Sequence, residues 1–257
     1  MNKAVQITCL AVIAAVCLGT AALAQTSVTL TGVAGQSYDG IYLSPYYATV
    51  GGVANTPVIC DDFRDDSYLN STWNASVTPF SSVNSSNTSW ALAGANTALY
   101  GAVGYLANLV LSAAPGSTAQ VIDTFALWAV FDPNGVEQYL ASHPLASGPL
   151  TTANLCSAIF GTSGCTSSTP VTGGLLYTAR NGGFTASQFN LVVLSPNIPG
   201  TSKLCTAESG NCPAQEFISI SVPEGGTTVA YLLLAGSCCL GAIFLRSRQG
   251  LAVRTIT

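Results

Sequence analysis

Residues 90–131 read WALAGANTALYGAVGYLANLVLSAAPGSTAQVIDTFALWAVF, and their periodicity decides the fold class. Leu92, Leu99, Val103, Leu106 and Val110 recur at helical spacing, with Trp90, Tyr100 and Leu109 beside them. That stripe predicts an amphipathic helix of roughly twenty residues. Pro115-Gly116 ends it, since proline has no N–H for the next helical hydrogen bond. Ser117 can then cap a second helix through about Phe131, with Val121, Ile122, Phe125 and Trp128 as its apolar positions. Pro133-Asn134-Gly135 breaks that helix, residues 136–142 suit a short third one, and another begins near Thr151.

On either side of this block the period changes to two. Residues 27–33 (SVTLTGV) alternate polar and apolar side chains, as a half-buried strand does. Residues 40–43 and 45–50 are two further extended runs, Gly51-Gly52 is a turn, and 56–60 form the returning strand. Residues 73–77 continue the pattern, and the Asn/Ser-rich stretch 81–89 is a loop. Beyond the helices, 189–194 and 216–222 read as strands. The expectation is an α+β domain: a β-rich N-terminal half, a central segment of two to three helices, and C-terminal strands. No internal repeat is present.

Both ends of the chain differ from this middle. Lys3 precedes an apolar run over residues 7–22, and Ala22-Leu23-Ala24 supplies an A-x-A cleavage site. Residues 1–24 therefore read as a secretory signal peptide, with Gln25 as the mature N-terminus. Residues 227–245 (TTVAYLLLAGSCCLGAIFL) carry no charge. At helical rise they cover roughly 28 Å, close to the hydrocarbon thickness of a bilayer. Arg246 and Arg248 follow directly, so the tail is expected in the cytoplasm and the domain of residues 25–221 outside. One transmembrane helix thus completes the expected fold.

Charge is sparse between these ends. Residues 25–223 contain three basic side chains, Arg64, Arg180 and Lys203, against ten carboxylates. Nucleic acid is excluded as a partner, because binding it requires clustered Lys and Arg. Five cysteines lie in this part: Cys60, Cys156, Cys165, Cys205 and Cys212. Export favours disulfides. The simplest scheme pairs Cys156 with Cys165 and Cys205 with Cys212, each pair flanking a Gly/Ser-rich turn, although four cysteines allow three connectivities. Cys60 is then left over, as a buried thiol, a reactive thiol or half of an intermolecular bridge.

Val222-Pro223-Glu224-Gly225-Gly226, the apolar span and Arg246-Ser247-Arg248 together resemble the PEP-CTERM sorting signal. Here Gly225 stands where that signal has its second proline. The resemblance covers residues 222–257. It implies recognition by an exosortase-type enzyme in Gram-negative bacteria that make exopolysaccharide. The protein would be anchored in the inner membrane, then reach the cell envelope or extracellular matrix once processed.

Within the domain, Cys60-Asp61-Asp62-Phe63 and the run 126–132 (ALWAVFD) resemble blocks found in a group of PEP-CTERM proteins. More distantly they resemble the thioester domains of bacterial surface adhesins. There a strand-end cysteine bonds to a glutamine four residues before a helical tryptophan, and the product captures amines covalently. Cys60 and Trp128 match two of the three positions, but the third is Thr124, which has no acyl group to give. Gln120 lies one helical turn further back, about 6 Å along the axis. No thioester is therefore expected.

Asp61, Asp62, Asp65 and Asp66 place four carboxylates within six residues. Such a set could bind calcium, a cation that takes six to eight oxygens, but it does not match an EF-hand loop. Solvated side chains or caps on backbone amides are the simpler expectation. No G-x-S-x-G elbow is present, and the one histidine, His143, precedes a proline, so neither a hydrolase triad nor any other catalytic set is expected. Trp73, Trp90 and the tyrosines could make a sugar-binding platform, although Trp90 and Trp128 fall on apolar helix faces. No cofactor is called for. The expectation is an exported, non-enzymatic envelope or matrix protein, associated with exopolysaccharide.

Overall fold

A computed structural model describes residues 24–33, 37–38, 40–63, 66–144, 150–162, 165, 170–207 and 212–220. The chain divides into two units, Met1–Ser221 and Val222–Thr257, and everything described belongs to the first. Residues 1–23, which hold most of the expected signal peptide, and 221–257, which hold the expected sorting motif and transmembrane span, lie outside the described residues. Among the described residues no helix is long and apolar enough to cross a membrane.

The fold is α+β. Among the described residues eight strands run in chain order as β1 (Ala24–Val33), β2 (Ser37–Tyr38), β3 (Ile41–Tyr42), β4 (Tyr46–Val50), β5 (Val53–Cys60), β6 (Thr72–Pro79), β7 (Leu191–Pro196) and β8 (Phe217–Ile220). Six of them close a barrel in the order β1-β4-β5-β8-β7-β6, and β2 pairs with β3 alone. Every barrel pairing is antiparallel. Gly51 and Gly52, at φ 58° and 86°, make the two-residue turn between β4 and β5, where positive φ at both positions matches the twist of the strands.

Alternation along the strands separates two cores. Val28, Leu30, Ala48, Val50, Val58, Trp73, Ala75 and Phe217 are buried and fill the barrel, where Trp73 stacks on Phe217 with ring centroids 5.6 Å apart. The intervening residues Ile59, Val193 and Ile218 instead join the helical core around Tyr100, Phe125 and Trp128. One side of the barrel is thereby the floor of a helical layer.

That layer is built from α1 (Ser89–Leu92), α2 (Leu99–Ser112), α3 (Thr118–Trp128), α4 (Pro133–Ser142), α5 (Thr152–Phe160) and α6 (Leu175–Asn181). The single helix expected from Trp90 is two. Gly94 adopts φ 90°, and Asn96 Oδ1 accepts from the Ala98 N–H at 3.0 Å, a local bond that competes with the helical ladder. Ser117 caps α3 through Gln120 N at 3.2 Å, and Thr151 caps α5 through Asn154 N at 3.2 Å.

Pro133-Asn134-Gly135 begins α4 instead of merely ending α3. Asp132 Oδ1 accepts from Gly135 N at 2.9 Å, and proline is at home in a first turn, where its missing N–H has no helical partner to lose. The helix α6 was not expected, because its seven residues sit among Gly-rich loops. Close packing of α2 depends on glycines: a Cβ at Gly101 would meet the Phe184 carbonyl, and one at Gly104 the Phe189 ring.

Candidate functional site at the end of strand β5

Strand β5 delivers Cys60-Asp61-Asp62-Phe63 to the seam between barrel and helices. The Cys60 N–H donates to Ser44 Oγ at 3.3 Å, and the Trp128 indole N–H donates to the Cys60 carbonyl at 3.0 Å. Phe63 packs on Trp128 with centroids 5.2 Å apart, and Phe125 meets Trp128 edge-on at 5.1 Å. A strand-end cysteine therefore sits beside a helical tryptophan, 68 residues away in the chain.

The acyl partner that a thioester would need is not in place. Thr124 occupies the turn before Trp128, fully buried, and among the described residues its hydroxyl has no hydrogen-bond partner. Gln120 is also buried, and its Oε1 accepts from Gly116 N at 2.6 Å, tying it to the loop before α3. Cys60 Sγ donates to the Asp62 carbonyl at 2.8 Å. Burial, and then the neighbouring acids Asp62 and Asp61, push the Cys60 thiol well above its ordinary range, which withholds the thiolate that reacts as a nucleophile.

The aspartates depart from expectation. Asp61 and Asp62 are not solvated: both are buried. Asp66 is exposed, and Asp65 lies outside the described residues. Among the described residues no group of three or more Asp, Glu, His or Cys is placed to hold a metal ion.

A residue that sequence reading passed over completes the seam. The β5–β8 ladder pairs Val58 with Ser219, Ile59 with Ile218 and Cys60 with Phe217. Its next rung sets Asp61 opposite Glu216, with Asp61 N donating to Glu216 O at 3.4 Å. Glu216 is buried. Its Oε1 accepts from Tyr100 OH at 2.5 Å, and its Oε2 from Ser195 Oγ at 2.5 Å and Ser89 N at 2.6 Å. Among the described residues, no other residue makes a hydrogen bond to either carboxyl oxygen of Asp61. Burial raises the affinity of both acids for a proton, and the neighbouring Glu216 raises that of Asp61 further. The signal for Glu216 was faint: one acid directly before an alternating strand, on the face of Ile218.

Other expected residues lie elsewhere. Cys156, on α5, is joined to Cys165 with Cα atoms 5.4 Å apart. Cys212 Sγ donates to Thr206 O at 3.4 Å, and residues 208–211, between Cys205 and Cys212, are outside the described set. Trp73 and Trp90 are buried, which removes them from any sugar platform, whereas Tyr42, Tyr47 and Tyr68 are exposed. His143 closes α4 and stacks on Tyr139 at 4.2 Å. Ala24 and Gln25, the residues of the expected cleavage point, pair with Val77 and Ser76 at the start of β1.

Compared with protein-family models, curated proteins and solved structures, the chain matches none of them.

Proposed function

We propose that this is an exported, non-enzymatic protein of the cell envelope or extracellular matrix. Residues 222–257 serve as its sorting signal for an exosortase-type enzyme, and the membrane holds it through residues 227–245 until the tail is processed. The observation that carries the reading is the Cys156–Cys165 disulfide in a chain whose first 24 residues have the layout of a signal peptide. Such bonds persist in oxidising compartments and are rare in the cytosol. The exposed tyrosines Tyr42, Tyr47 and Tyr68 offer flat apolar rings with a polar edge to exopolysaccharide.

The rival from another class is a covalent adhesin reacting through a Cys60 thioester. The buried Thr124 hydroxyl where the glutamine belongs, together with the Gln120 amide engaged by Gly116, weighs against it.

The test uses the native host. Thiols are blocked in intact growing cells with a membrane-permeant alkylating agent, and peptides are read without reduction. The proposal expects Cys156 and Cys165 to be recovered as a linked peptide pair, with Cys60 alkylated only after unfolding. Recovery of both Cys156 and Cys165 as alkylated thiols would put the domain in a reducing compartment and overturn it. Loss of one ammonia from the mass, coupled to Cys60, would favour the adhesin.

A further inference from the structure

We propose that Asp61 and Glu216 hold a single proton between them, and that this proton fastens the helical layer to the barrel, so that the junction loosens when it is lost at alkaline pH. The geometry comes first. Directly opposed residues in an antiparallel sheet project their side chains to the same face, with Cβ atoms about 4.5–5.5 Å apart. Here that face is covered, since Ile59 and Ile218, the pair two residues inward, belong to the same core as Tyr100 and Phe125. Two carboxyl groups that close, and out of water, cannot both be ionised.

The hydrogen bonds say which one keeps the charge. Tyr100 OH, Ser195 Oγ and Ser89 N all donate to Glu216, which suits an anion that only accepts. Among the described residues no other residue donates to the Asp61 carboxyl, so an ionised Asp61 would be a buried charge with no partner to offset its lost hydration. The proton therefore resides on Asp61, where its O–H can turn toward Glu216. The donors to Glu216 come from β7, α1 and α2, so the anion ties the barrel to two helices. When the proton leaves, two facing anions push apart the rung on which these bonds converge.

Among the described residues, the titratable groups around the pair all act in the same direction. Cys60 and Asp62 flank Asp61 on the same segment, Tyr100 reaches in from α2, and Tyr46 lies near Cys60 on the barrel side. Each is an acid, so each ionisation adds negative charge. Asp61 holds its proton in the folded chain, whereas in the unfolded chain it has lost it above about pH 4. The folded state then binds more protons, and stability falls with rising pH until the folded chain releases the proton too.

The experiment is urea unfolding of the full-length protein between about pH 7 and 9, above Asp123, which burial pushes up to about 6. Asp61 is expected to cost the wild type up to about tenfold in its folding equilibrium per pH unit, the most that one proton can give. Asp61→Asn, neutral and able to donate an N–H to Glu216, is expected to lack that loss and to keep only the shallower fall above about pH 8 that the buried Cys60 thiol gives both proteins, since Cys60 ionises first in the unfolded chain. Equal slopes in the two proteins would overturn the proposal. Should Asp61→Asn fail to fold, the infrared spectrum of the folded wild type at about pH 8 decides. A protonated-carboxyl carbonyl band that vanishes on unfolding supports the shared proton, and the absence of any such band overturns it.

Discussion

Trp128→Ala is expected to lower the unfolding free energy by about 3–5 kcal/mol, the cost of removing a fully buried indole and leaving a cavity. Its ring is buried and fills the space between Phe63 and Phe125. Phe125, which would have to move to close this gap, is itself held in the same buried core as Ile59 and Tyr100. The Cys60 carbonyl also loses the indole N–H at 3.0 Å, which adds about 1–3 kcal/mol if water cannot reach it. Trp128→Phe separates the two contributions: it keeps an aromatic ring in place, loses the hydrogen bond, and should cost roughly 1–3 kcal/mol. Urea unfolding followed by far-ultraviolet circular dichroism measures both. Equal losses in the two variants would mean that the hydrogen bond, and not packing, makes Trp128 matter.

The second large effect is at Glu216. Glu216→Ala at neutral pH is expected to cost about 3–5 kcal/mol, even though it removes one of two facing acids. Two effects oppose each other there. Relief of Asp61 is favourable, but Asp61 already avoids repulsion by keeping its proton, so little is gained. Three buried donors, Tyr100 OH, Ser195 Oγ and Ser89 N, lose their common acceptor at about 1–3 kcal/mol each, not fully additive. The unpaired donors win. Glu216→Gln keeps an acceptor oxygen for part of this set and should cost roughly half as much, by the same count of lost bonds. The same denaturation series measures it, and a Glu216→Ala protein as stable as the wild type would show that these bonds contribute nothing net.

What could be read from the chain divides along physical lines. Local signals were reliable where one residue's chemistry acts on its neighbours: Gly51-Gly52 turns the chain, while Ser117 and Thr151 cap α3 and α5. Local signals conflict at Gly94 and Asn96, where the apolar stripe runs through a break that backbone conformation imposes. Barrel closure was not legible, because it depends on β1 pairing with β6 and β5 with β8, partners that no local pattern specifies. For the same reason the four aspartates read as a solvated cluster. Only the rung joining Asp61 to Glu216, 155 positions apart, reveals that two acids share one buried seam. The Cys60–Trp128 contact could be anticipated from the resemblance of the two blocks, and Thr124 already carried the chemical reason to doubt a thioester.

The central claim is that the chain is exported and sorted through its last 36 residues, 222–257. The most direct measurement is the C-terminus of the mature protein, read by mass spectrometry from fractionated cells of the native host. The account predicts an N-terminus at Gln25, a C-terminus near residues 223–226, and recovery in the envelope or matrix fraction. An intact chain ending at Thr257 and confined to the inner membrane would contradict it, leaving a simple anchored protein with no sorting step.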